Sequence, residues 1–338
     1  GSKALEDTTS GNSNVAVGSL SLTDNTTGGQ NTAVGFSCLR YGTTGSGNAG
    51  FGSGALQNNT VSNNTGIGYL ALNANTSGTN NVAVGANALD ANTTGGSNVS
   101  IGYNSLTTNT TGPLNVAVGD NVLRDNTTGA NNTAVGGHSM IKNQTGIENV
   151  AIGTSAFEDN ISGDSNVAVG RSALANNTTA NANTAVGRAS SQANTTGHSN
   201  VSIGYQSNKL NQTGEKTTVI GYDALGNCGT NVNGIVAIGY NACKNTTNGG
   251  NTAVGYKAME NNTGGYWNTA FGANALNSNT THTHNSAFGY NALMTATASF
   301  NDAFGWYVLQ NLTTGHNNSV FGIGSGQNIT SGIENVLI

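Results

Sequence analysis

The chain has 338 residues, of which 50 are Gly, only 7% are charged, and the formal net charge is −5. So few charges exclude the highly charged disordered class, and the lack of a basic stripe argues against neutralising a phosphate backbone. No apolar run approaches the length of a membrane-spanning helix, and Cys38, Cys228 and Cys243 are too few and too irregularly spaced for a disulfide framework or a zinc site, so they read as small core residues.

Residues 1–10 read as a tag scar, Gly1-Ser2, followed by a lead-in. Residues 11–338 read as one continuous repeat domain, a fragment of a longer fibre protein. A Gly closes a short apolar tetrad at Gly18, Gly35, Gly52 and Gly68, and so on in nineteen copies to Gly289, Gly305 and Gly322. The spacing is 17, slipping to 16 or 18 at a few coils, and the consensus is N-(V/T)-A-V-G-x-x-A-L-x-x-N-T-T-G-x-x. Phase held over this length marks a repeat architecture.

The residue before each Gly is large and apolar, from Val17, Val34, Phe51 and Ile67 to Phe321, and the one before that is small. This alternation reads as a strand with the large residue inside. Ala16, Ala83, Ala117, Ala151 and Ala168 are then outward, a smooth file along which another chain could pack. Leu22, Leu39, Leu56, Leu72 and Leu89, four residues after the Gly, read as a second short strand. A 17-residue unit cannot bury its own apolar face, but stacked coils share a core. The expected fold is all-β, a parallel β-solenoid (β-roll) of about 19 coils.

Asn14, Asn31, Asn81 and Asn98, together with Asn25, Asn92, Asn109 and Asn126, fall at the expected corners, where Asn tolerates left-handed backbone and its amides can bond coil to coil. Asn25, Asn92, Asn109, Asn126, Asn177 and Asn279 also match the N-glycosylation pattern. A threonine file, Thr26, Thr43, Thr60, Thr76, Thr93, Thr110 and Thr127, raises an alternative function, an ice-binding solenoid; it is a single rank and lapses at Gln144 and Ile161. Pro113 falls in the turn, where no ladder hydrogen bond is lost. Asp125, Lys142 and Asp159 occupy one position in three successive coils and alternate in sign, as a surface ion-pair ladder requires.

Tyr205, Tyr222, Tyr240 and Tyr256 follow the Gly in four successive coils and form a candidate glycan-contact strip. Phe271, Phe288, Phe304 and Phe321 replace Val in four further coils and predict an interior Phe stack, a core ladder. His282 and His284 could share one side of an extended segment, yet without a third ligand they do not make a metal site. There is no nucleophile elbow, Walker loop, H-E-x-x-H or calcium nonapeptide, and the fifteen acids are scattered. The sequence therefore predicts neither an enzyme nor a bound cofactor.

Asn81-Val-Ala-Val-Gly85, Asn149-Val-Ala-Ile-Gly153 and Asn200-Val-Ser-Ile-Gly204 resemble the head-domain repeat of trimeric autotransporter adhesins. The unit Asn251-Thr-Ala-Val-Gly-Tyr-Lys-Ala-Met259, with Asn261-Asn-Thr-Gly264, is similar to arrays in bacterial and phage tail-fibre-domain proteins. The resemblance covers essentially the whole chain. It departs in period, because adhesin heads use a shorter coil and the extra Asn-Thr-Thr must widen a corner. It implies a left-handed β-roll, three chains side by side as a homotrimer, and a structural shaft or adhesin head at a cell or virion surface. Its other partners would be extracellular surface glycans.

Overall fold

A three-residue apolar run is too short to stand alone as a strand and pairs most readily with its own copy one coil away. In the computed structural model, which describes residues 1–338, short strands pair in this way. It divides into two compact units, Gly1–Asn166 and Val167–Ile338. The first unit carries nine strands, from β1 (Val15–Val17) and β2 (Thr32–Val34) to β9 (Val150–Ile152). The second carries eleven, from β10 (Val167–Val169) to β19 (Ser319–Phe321) and β20 (Val336–Leu337). Each unit is a parallel β-solenoid with the expected coil. In the first, Val15 faces Thr32, Ala16 faces Ala33 and Val17 faces Val34. In the second, Ala270 faces Ala287 and Phe271 faces Phe288.

The strand is turned the other way from the sequence-based expectation. Ala83, Ala117, Ala151 and Ala168 are 0% exposed, and Ala16 is half-buried in the first coil; the large residues beside them point outward. Phe271, Phe288, Phe304 and Phe321 do lie one over the next, with ring centroids 5.2, 4.8 and 4.9 Å apart and planes within 10° of parallel. They stack on the outer face, however, where Phe271 is 39% and Phe321 43% exposed, and they form no core ladder. The reason is volume. The space behind the strand is already filled by the buried Leu of the opposite segment, so only a small side chain fits. Gly50 shows the limit, since a Cβ there would press on the Sγ of Cys38; at Gly66 it would press on Leu56.

The expected second strand is a run of turns. Asn87 and Leu89 have φ of 57° and 53°, and the same two positions recur with positive φ in coil after coil, as at Asn104 and Leu106 or Asn121 and Leu123. An extended segment sends neighbouring side chains to opposite faces, yet Ala88 and Leu89 are both fully buried. The left-handed residue resolves this by swinging Leu89 inward beside Ala88. Left-handed backbone costs a non-Gly residue about 1 kcal/mol, whereas burying a Leu contributes about 2 kcal/mol, so burial wins. The turned segment still ties coils together, with the N–H of Leu89 donating to the carbonyl of Ser105 at 3.0 Å and that of Ala91 to Thr107 at 3.1 Å.

The Gly that sets the register is required twice over. At Gly102 φ is 138°, a region essentially reserved for Gly, and a Cβ would overlap the carbonyl oxygen of Gly119 in the next coil. Gly102→Ala is expected to destabilise its coil by about 3 kcal/mol or more. Gly137→Ala, where a Cβ meets nothing closer than 3.9 Å, should stay within about 0.5 kcal/mol. Hydrogen exchange of the amides around each site distinguishes the two.

Candidate functional site

Inside each coil lie two files of asparagine. In the first, four residues before the Gly, the backbone N–H of Asn48, Asn64 and Asn81 donates to the Oδ1 of the Asn one coil earlier at 2.9 Å. In the second, Asn92 Nδ2 donates to Asn75 Oδ1 at 3.0 Å, Asn109 to Asn92 and Asn126 to Asn109 at 2.8 Å each, and Asn143 to Asn126 at 2.7 Å. The Gly95 carbonyl joins the files by accepting from both Asn81 and Asn92 at 2.9 Å. None of these asparagines has positive φ, so the ladders, and not left-handed geometry, select Asn. The files break where Asn is replaced. Gly42 and Ala296 stand where Asn25 and Asn279 would find their next donor, and the Oδ1 of both asparagines is left without one.

This placement overturns the glycosylation expectation. Asn25, Asn92, Asn109, Asn126, Asn177 and Asn279 are all 0% exposed. The amide nitrogen that would carry a sugar is shut inside; in Asn109 it donates to both Asn92 and Gly112. The threonine file is also occupied: Thr26, Thr60, Thr93 and Thr127 donate their hydroxyls to backbone carbonyls of the next coil at 2.7–3.0 Å. Those hydroxyl protons are spent within the solenoid.

On the outside, Tyr205, Tyr222, Tyr240 and Tyr256 form the strip that their spacing suggested, stacked at 5.0, 5.3 and 5.4 Å with planes 10–15° apart. The inner rings cover one another's faces. Arg188 lies 5.8 Å from the outer Tyr205 ring, and Lys257 lies 5.7 Å from Tyr256. What the strip presents outward is therefore ring edges and hydroxyls, not faces for a sugar to stack on. Two more aromatic groups lie on the second unit. Tyr290, Trp306 and Tyr307 meet at tilted angles, and Trp267 and Phe300 flank His284, which stacks on Phe300 at 4.9 Å. The sequence signal for both was their position in the repeat. His282 does not join His284. It is half-buried, its Nδ1 has no partner, and burial holds its pKa below the usual imidazole value.

Several of the charges are spent in pairs. Lys142 meets Asp159 at 2.6 Å, and this hydrogen bond holds the ammonium pKa above its ordinary value. Asp125, the third member of that file, pairs instead with its neighbour Arg124 at 2.7 Å. Lys244 meets Asp223 at 2.9 Å. A concavity of about 670 Å³ is an open notch where Gly234 and Gly250 leave space beside Glu215, Lys216 and Asn233, and its one carboxylate is engaged by His198 at 2.9 Å. No group of three or more His, Cys, Asp or Glu side chains gathers where a metal could be held, and there is no disulfide. The three thiols are buried and desolvation pushes each up to about 12. A basic cleft at Arg171, Arg188 and Lys209, unnoticed in the sequence because its members are scattered in number, comes together only in the coil.

Comparison with protein-family models and with curated proteins finds no match to this chain.

Two outcomes follow from the buried files. Asn109→Leu removes both amide donations and strands Asn92 Oδ1, which should cost about 3 kcal/mol and accelerate hydrogen exchange of the surrounding coils. Burial pushes the Cys38, Cys228 and Cys243 thiols from an ordinary 9.0 up to about 12, so their contribution to stability is complete below pH 9 and lost as pH rises towards 12. At pH 8 they should not react with a disulfide reagent such as DTNB until the chain unfolds.

Proposed function

We propose that this chain is a structural fibre element, the shaft or head of an extracellular cell-surface or virion fibre. As in the repeats it resembles, it would wind left-handed and assemble as a side-by-side homotrimer through the outer faces of its strands. One observation carries this reading: in each unit those faces form a strip of outward β-branched and aromatic side chains. In the first unit it includes Val17, Phe51, Ile67, Ile101 and Ile152, and in the second Ile203 and the Phe271–Phe321 stack. Exposed apolar surface of this extent marks an interaction site. Asp302 is the only charged residue on any of the twenty strands, so the strip offers no charge pattern for an unrelated partner.

A second copy of the chain matches the strip best. Its side chains recur at one strand spacing, about 4.8 Å, and only a surface with the same repeat meets them rung for rung. Three strips around an axis close the assembly without leaving an apolar face in water. The rest of the coil suits a spacer. Its interior asparagine files tie one coil to the next, and its surface carries few charges.

Light scattering of the full chain tests the assembly. The expected mass is about three times the 33.9 kDa of one chain. Ile101→Lys combined with Ile152→Lys places two charges on the strip, at side chains 40% and 42% exposed, and should leave a folded single chain. A wild-type mass of 33.9 kDa at micromolar concentration would remove the trimer.

A further inference from the structure

We infer that the second unit binds an anionic polysaccharide, one bearing carboxylate or sulfate groups, in the cleft formed by Arg171, Arg188 and Lys209. The cleft holds about 220 Å³, and the side chains between the three cations are the amides Gln192 and Gln206, with no carboxylate among them. Of the ten Lys and Arg residues, Lys3, Arg124, Lys142, Lys244 and Lys257 each form an ion pair; of the five that form none, Arg40 and Lys216 stand apart, and the other three share the cleft. No Asp or Glu occurs between residues 165 and 214. Three cations that line one cleft together, with no carboxylate in its lining and none in the surrounding stretch of chain, point to a counter-charge supplied from outside.

The chemistry of the cleft selects the class. Two guanidinium groups in adjacent coils offer forked donors suited to carboxylate or sulfate oxygens. Gln192 and Gln206 add amides that both donate and accept, as sugar hydroxyls require. Arg188 also reaches Tyr205, the first ring of the stacked strip, so a chain anchored at the cleft meets a line of phenol hydroxyls along the coils Tyr205 to Tyr256. Nucleic acid fits less well, because three cations in a chain of net charge −5 do not make the extended positive track that a phosphate backbone needs.

This inference rests on the fibre reading only for bringing the surface to extracellular polysaccharide. Binding by the purified chain does not require assembly, and light scattering on the same sample reports assembly separately. Immobilised full chain is titrated with hyaluronan, heparin, neutral dextran and a single-stranded oligonucleotide by biolayer interferometry. Hyaluronan, heparin or both should bind and dextran should not; binding of hyaluronan shows that carboxylate suffices, and binding of heparin alone that sulfate is required. The triple variant Arg171→Thr, Arg188→Thr, Lys209→Asn should bind about tenfold or more weakly. Its new residues already occupy the same repeat positions at Thr154 and Asn277, so the coil is kept. Lys142→Asn, in the first unit, should leave binding unchanged. Equal binding of dextran and the acidic polymers, undiminished affinity in the triple variant, or preference for the oligonucleotide would each overturn the inference.

Discussion

Within each unit of this protein a coil is hydrogen-bonded to the next in register, so a side chain has a copy of its own position, or a close substitute, one strand spacing away. The other features follow from that constraint. A residue type can occupy an interior file only if it tolerates contact with itself. Ala and Leu do so by packing. Asn does so because its amide is donor and acceptor at once, and a column of Asn can satisfy itself from end to end. Asp or Lys cannot, which explains how a protein of this size carries only 7% charged residues.

The same self-consistency shows where substitutions are absorbed. At residues 217–235 the asparagine files give way to Thr217, Cys228 and Ile235, and the interior there becomes apolar, joined by Val232. Asn211 at the end of its file is rescued by the backbone, its Oδ1 accepting from the N–H groups of Gly214 and Val232. Asn25 and Asn279 have no such rescue and keep an orphaned oxygen. An interior file can therefore change its chemistry, but the last Asn before the change needs a replacement donor.

Outside, the constraint is weaker and the files differentiate. The strand face carries apolar side chains suited to meeting copies of themselves, while the neighbouring file passes from Arg171 and Arg188 to the tyrosine stack. The outer surface is built from one short edge repeated, with local departures from the repeat making the distinctive places. The cleft at Arg188 and the notch at Gly234 and Gly250 are both such departures.

The sequence by itself determined the coil, its period, its parallel register and the stacking of like residues, because a strict 17-residue phase leaves one way to pair identical short strands. It also determined that Phe271 to Phe321 and Tyr205 to Tyr256 would form columns. Which way each column faces was decided only by tertiary structure. Alternation in a three-residue strand names two faces without ranking them, and the rule that the larger residue goes inside failed because Leu89 and its equivalents had already taken the interior. That in turn depended on left-handed backbone at Leu, against its local preference, a choice that only the gain from burial in the assembled coil explains. For the same reason six apparent glycosylation sites proved to be interior ladder rungs: a three-residue pattern carries no information about the side of the wall on which its asparagine lies.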